Sequence, residues 1–212
     1  MAWTAPATWL AGSTLTAAQL NEQVRDNSLA GGPIYTTEAL RDAAIPAPFE
    51  GQRAYITGST VAAATGVITA VPTGIQTIYN GAAWVCVTPV GADTATVGTT
   101  TSLGFTATLT SGGTNPSVTL ATGTTALIQV SAVQLATGAA SANVGVAVSG
   151  ATTAAALTSY GTYSTSAAFN RHSDQWVITG LTAGTNTFTL QYITASGTAS
   201  FGFRHLIVQG VA

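Results

Sequence analysis

Asn186-Thr-Phe-Thr-Leu-Gln-Tyr-Ile-Thr194 alternates strictly, with Phe188, Leu190 and Tyr192 on one side and Thr187, Thr189 and Gln191 on the other. Period two is the mark of a half-buried strand. Ala195-Ser-Gly-Thr198 is a turn cluster, and Ala199-Ser-Phe-Gly-Phe-Arg-His-Leu-Ile-Val208 resumes the rhythm with Phe201, Phe203 and Ile207 in phase. Two such runs across a Gly-containing loop read as an antiparallel hairpin. It holds the heaviest apolar concentration in the chain, so it is expected at the centre of a C-terminal β-sandwich.

Upstream of it, evenly spaced strand candidates run back to residue 102: Leu103–Thr110, Pro116–Ala121, Thr125–Leu135, Asn143–Ser149 and Gln175–Thr179. Gly, Asn, Ser or Thr clusters bound each one. Seven or eight short strands at this spacing predict a sandwich or jelly roll. Gly/Thr-rich Pro89–Thr101 is expected to be the boundary with a smaller module over 33–90. That module contains a helical turn at Thr37–Asp42, four short strand candidates, and the hairpin signal Asn80-Gly81. Its Tyr79 and Trp84 are expected to pack across the strands. In 1–32, Thr16-Ala-Ala-Gln19 is a capping box with Leu15 and Leu20 as its staple, opening a helix closed by Gly31-Gly32-Pro33. The expected fold is therefore mainly β: a short N-terminal helix, a small β-module at 33–90, and an antiparallel jelly roll over 91–212.

Charge narrows the function classes. Only 6% of the 212 residues are charged and the net charge is −2, with five Arg and no Lys. No field is present to attract a phosphate backbone, so nucleic acid is not an expected partner. Eight of the twelve charged residues fall in the first 53 positions, leaving Asp93, Arg171, Asp174 and Arg204 for the rest. A domain solvated by hydroxyls in place of charges fits a surface covered in part by partners. Cys86 is the single cysteine, which rules out an internal disulfide and reads as a small buried apolar residue. No secretory leader and no membrane-length apolar stretch is read, despite a mean hydropathy of +0.38.

Chemistry-bearing residues are few. His172 and His205 share no ligand spacing with Cys86 or each other, so no metal and no cofactor is expected. Glycoside hydrolysis needs a carboxyl pair roughly 5–10 Å apart. The C-terminal part offers only Asp93 and Asp174, so no catalysis is expected. The stretch Ser159–Trp176 gathers Tyr160, Tyr163, Phe169, Asn170, Arg171, His172 and Asp174. Aromatic faces beside amide, guanidinium and carboxylate groups suit a glycan-binding loop; the competing reading is a loop whose polar groups tie down its own backbone. In the last strand His205 is in phase with Phe201 and Phe203, while Arg204, Leu206 and Val208 fall opposite. A strand apolar on both sides needs two covers. These four residues are therefore expected near a threefold interface, the alternative being a hydrogen-bonded core histidine. Trp3 and Trp9 read either as a strap on this chain's own domain or as anchors docking into another protein.

Trp9, Leu15-Thr-Ala-Ala-Gln-Leu20-Asn21 and Val24-Arg25-Asp26-Asn27 resemble the N-termini of many tailed-bacteriophage virion proteins. The resemblance covers about the first 30 residues. It implies that Trp3, Trp9, Leu15, Leu20, Val24, Arg25 and Asp26 join a fibre or minor structural protein to the particle. Arg41 to Trp84 is similar to a small β-module recurring in phage fibre and tail proteins. Gly180 to Gly210 resembles the last strands of tumour-necrosis-factor-like jelly rolls at fibre tips, which usually trimerise. Together these imply a homotrimeric virion protein that contacts other head, neck or tail proteins and a bacterial surface polysaccharide. The alternative is a stand-alone carbohydrate-binding or adhesion module.

Overall fold

The computed structural model describes residues 32–138 and 141–212, together with Thr16. The expected docking residues Trp3, Trp9, Leu15, Leu20, Val24, Arg25 and Asp26, and the capped helix, lie outside the described residues. The chain begins with β1 (Ile34–Tyr35) and α1 (Glu38–Ala44), whose N-cap Thr37 accepts from Leu40 N. Next come β2 (Arg53–Ile56), β3 (Ala63–Thr65), β4 (Ile68–Ala70), β5 (Ile75–Tyr79) and β6 (Trp84–Cys86). Then follow β7 (Val90–Thr94), β8 (Gly98–Thr100), β9 (Ser117–Thr122), β10 (Thr125–Thr137) and β11 (Ala142–Gly150). The last four are β12 (Gly161–Ser164), β13 (Asn170–Thr179), β14 (Gly184–Thr194) and β15 (Thr198–Val211).

Three sheets result. A small one has the order β1-β2-β5-β6. Of the two larger, the β15 sheet runs β13-β10-β15-β7-β4 with β8 also beside β15, and the β14 sheet runs β12-β11-β14-β9-β3. The fold is mainly β, and its two large antiparallel sheets form a sandwich. From β9 to β15 the chain passes back and forth between them, the winding of a jelly roll.

The alternating runs 186–194 and 199–208 do not form the expected hairpin. β14 pairs with β11 and β9, whereas β15 pairs with β10, β7 and β8. Each is central in its own sheet, and they meet face to face through the core. Tyr192 and Phe201 lie 5.0 Å apart, centroid to centroid. Alternation identifies a strand and its buried side, but it does not name the strand's neighbours. The 195–197 turn therefore crosses between sheets.

Pro89–Thr101, read as a boundary, contains β7 and β8, both hydrogen-bonded to β15. The 33–90 stretch is shared, since β3 pairs with β9 and β4 with β7. Leu103–Thr110 is not a strand. The hydroxyls of Ser102 and Thr106 accept local backbone bonds from Gly104 N and Thr108 N, offering an alternative to a ladder. Its backbone joins its neighbours through the isolated bridges Thr106 to Tyr192 and Thr110 to Thr99, and its Leu109 is buried in the core.

The small sheet caps one end of the sandwich. Gln209 Nε2 donates to Val87 O at 2.7 Å, and Gly210 lies so close that a Cβ would come within 2.7 Å of Cys86 O. Within it, Arg41 is buried with its guanidinium 4.5 Å from the Trp84 ring centroid, and Tyr79 meets Trp84 edge-on. Cys86 is buried in β6, and burial pushes its thiol up.

Candidate functional site

The Ser159–Trp176 stretch folds as two strands on opposite sheets, β12 against β11 and β13 against β10. Its seven candidate residues are consequently dispersed. Arg171 points from the outer side of the β15 sheet, donating to Ser131 Oγ at 3.0 Å and lying 5.9 Å from the Phe203 ring. His172 faces the other way, with Nε2 buried and unpartnered. Asn170 donates to Ser166 Oγ at 2.8 Å, and Asp174 accepts from Gln175 N at 2.8 Å, so these two tie down their own surroundings. Phe169 is exposed at the turn before β13. Tyr160 stacks on Trp176 at 6.2 Å and 27°, at the mouth of an apolar cleft of about 210 Å³ between Ile128, Val146 and Val148. Tyr163 lies on the outer side of the β14 sheet. No single glycan loop unites the seven.

The expected interface residues also part company. Arg204, Leu206 and Val208 are buried within the chain itself, at 1% exposure or less. The cause is a bulge. Ser131 faces His205 and Val133 faces Gly202, so Ala132 alone opposes Phe203 and Arg204. Phe203 takes a left-handed conformation, φ 47°. One extra residue reverses the phase of everything after it. Phe201 points inward before the bulge; Arg204, Leu206 and Val208 point inward after it. β15 therefore has one apolar core side, and only His205 of the four faces outward.

Arg204 is held between the sheets without a carboxylate. It donates to Tyr192 Oη at 3.0 Å, to Thr96 O at 3.3 Å, and to Gly112 O. Tyr192 donates in turn to Asn115 Oδ1 at 2.7 Å. Burial pushes the Tyr192 phenol up to about 12, against the opposing effect of the Arg204 charge and hydrogen bond. This network pins the 95–97 and 111–115 segments across one side of the sandwich.

The outer side of the β15 sheet is open. Its rows read Ser173–Ser131–His205–Asp93, then Gln175–Gln129–Ile207–Gly91, then Val177–Leu127–Gln209. Leu127, Val133 and Ile207 are half-buried, while Val177 and Phe203 are about half exposed. Among the described residues, its charged groups are Arg171 and Asp93, the latter 3.7 Å from His205 Nδ1.

The outer side of the β14 sheet is covered in part by its own chain. Phe105 and the Leu157 carbonyl lie over Gly145, where a Cβ would come within 2.9 Å of the Phe105 ring. One row further along, Tyr163, Asn143 and Ile193 stand side by side on β12, β11 and β14. With Leu103, Ser141 and Thr158 they line a groove of about 520 Å³. Alternation in β11 turns Val144, Val146 and Val148 inward and so leaves Asn143 facing out. The neighbourhood of β12, β11 and β14 is what the sequence does not state.

Among the described residues no three His, Cys, Asp or Glu side chains come together, and no helix is long and apolar enough to cross a membrane. No family model and no curated protein matches the chain. Among solved structures, it is similar to the CBM22-1 xylan-binding domain of Paenibacillus barcinonensis Xyn10C. The alignment has 13% identity and a TM-score of 0.25, covering 54% of this chain and 88% of that one. A likeness that loose carries no argument about what this chain binds.

Proposed function

We propose that this chain is a structural virion protein of a tailed bacteriophage: a homotrimeric fibre or decoration subunit without a catalytic step. Residues 1–32 attach it to the particle, and the jelly roll points outward. The observation that carries the proposal is the outer side of the β15 sheet. It spans several strands, exposes Phe203 and Val177, leaves Leu127, Val133 and Ile207 half-buried among Ser and Gln, and among the described residues carries Arg171 and Asp93 as its charges. An uncovered sheet face with apolar side chains set among neutral polar ones supports a protein interface. A second or third copy is the occupant proposed. A ring closes when one surface of a subunit meets a different surface of the next. The exposed Tyr160 and Phe169 lie towards the β12–β13 side, which supplies such a second surface. The N-terminal Trp9, "LTAAQLN" and "RDN" pattern supports the virion setting.

Light scattering tests the assembly. The chain is 21.1 kDa, so the trimer is expected at three times that, about 63 kDa. A monomer at working concentrations overturns the trimer. Mass spectrometry of particles from the phage encoding the chain tests the setting; absence from washed virions overturns it.

A further inference from the structure

The Tyr163 groove has features that neither the fold nor the assembly requires. Cross-strand neighbours on one face stand about 5 Å apart. The row Tyr163–Asn143–Ile193 therefore sets a half-exposed aromatic ring, a buried amide and an aliphatic side chain along one line. Leu103 is 70% exposed at the rim. Asn143 is only 6% exposed, and its Nδ2 donates to Ser141 Oγ at 3.2 Å, which fixes the amide in the floor. Thr158 also lines the groove. Phe105, seated on Gly145, lies over the adjacent row. The volume of about 520 Å³ lies within the roughly 300–1,000 Å³ of small-molecule sites.

The lining selects a chemistry. None of the eight lining residues is charged at neutral pH. A phosphate, a carboxylate or an ammonium group would enter with nothing to neutralise it. What remains is a ligand with an apolar face and a rim of hydroxyls. A pyranose ring matches both: its C–H face lies on the Tyr163 ring and Leu103, and its hydroxyls meet the amide and hydroxyl groups. We propose that this groove binds a neutral saccharide of the bacterial surface.

Position agrees with this. The Gly184 end of β14 adjoins the small sheet, where Trp84, Gly184 and Thr185 line one cavity. The groove sits at the Thr194 end. Eleven residues separate the two ends, on the order of 30 Å at the usual strand rise. The groove is therefore at the end of the sandwich far from the small sheet, and on the opposite outer side from the bare β15 face. This sense of direction, and the bacterial surface as the source of the saccharide, rest on the virion reading.

Saturation-transfer NMR on the full chain tests the site. The probes are the methyl glycosides of glucose, galactose, mannose, rhamnose and N-acetylglucosamine, with methyl glucuronide as the acidic comparison. At least one neutral glycoside is expected to take up saturation, and methyl glucuronide none. Tyr163→Ala and Leu103→Ala replace exposed side chains and leave the core intact. Each is expected to weaken the response about tenfold in affinity. Silence from every neutral glycoside overturns the proposal. So does a response that survives both substitutions, or a glucuronide response equal to the neutral ones. The mass of the same samples separates the two readings. A trimer without transfer removes the groove and leaves the assembly standing; a monomer with transfer does the reverse.

Discussion

The two outer sides of the sandwich solve the same problem differently. On the β14 sheet the chain covers itself, and the sheet beneath the cover is pared down to make room. Gly145 lies under Phe105, and Asn143 lies under the groove. On the β15 sheet nothing in the described chain provides cover, and the side chains there are larger: Leu127, Val133, Phe203 and Ile207. Where Phe105 covers the β14 sheet the strand below it carries Gly145, whereas the bare β15 face carries bulkier uncharged residues, which fits the proposed contact between copies. Charge avoidance is common to both.

The largest expected effect comes from placing the same charge on each side. Ile207→Glu puts a carboxylate in the middle row of the β15 sheet, between Gln129 and Gly91. A buried unpaired carboxylate is costly enough to drive the subunits apart. Light scattering is expected to show the mass falling to that of one chain. Gln191→Glu sits opposite Gly145 on the β14 sheet and is expected to leave the mass unchanged. Equal behaviour of the two variants would erase the distinction between the faces.

Alkaline pH probes what holds the sheets together whichever side is covered. Tyr192 on β14 and Arg204 on β15 join through a 3.0 Å bond in the interior. The phenol is pushed up to about 12 from its ordinary 10.0, because burial disfavours the anion. The folded state thus holds the proton more tightly than the unfolded chain. The stability this confers is fully present below about pH 10 and is lost as pH rises through about 12. Two pH units correspond to about 2–3 kcal/mol. The unfolding free energy from urea titrations across that window is expected to fall by this amount, and Tyr192→Phe should flatten the profile. At pH 7 the same variant leaves Arg204 and Asn115 each short of a partner, lowering stability by about 1–3 kcal/mol. An unchanged slope in Tyr192→Phe would assign the alkaline loss elsewhere.

Gly145→Val tests the self-covered side. The first added carbon already crowds Phe105 at 2.9 Å and Leu157 O at 3.1 Å. Overpacking of this kind costs about 1–3 kcal/mol. Thermal or urea unfolding should register it while the mass stays that of the wild type. A neutral result would mean that Phe105 is not held where the structure places it.

These residues also mark how far the sequence could be read. Strand identity was legible wherever hydrophobics alternate: β9, β10, β11, β14 and most of β15 coincide with the expected segments. The helical turn after Thr37 was legible from its cap. Partnership was not, because alternation is a property of one strand and pairing a property of two. The inferred hairpin is therefore a cross-core contact. Strands β7 and β8 were hidden by Gly and Thr, residues that equally describe a linker. The candidate site dispersed for a related reason. Nearness in sequence from Tyr160 to Asp174 becomes distance in space when the chain changes sheets at residues 165–169. The inward turn of Arg204, Leu206 and Val208 depends on a bulge whose marker, Phe203, is not a glycine.

That bulge yields the smallest and most discriminating expectation. A left-handed conformation costs a non-glycine residue about 1–2 kcal/mol, and Phe203 bears it at φ 47° with half its surface exposed. Within the single chain the ring returns little beyond its contact with Arg171 at 5.9 Å. Glycine would relieve the strain and remove the ring. In the Ile207→Glu background, where assembly is already broken, Phe203→Gly is expected to raise the urea unfolding free energy by about 0.5–1 kcal/mol. In the otherwise wild-type chain it is expected to weaken the trimer, measured by dilution. Opposite signs in the two backgrounds mean that the strained phenylalanine serves the contact between copies. A loss of stability in the monomeric background would instead place its value in the single fold, and the bulge would then owe nothing to the bare face.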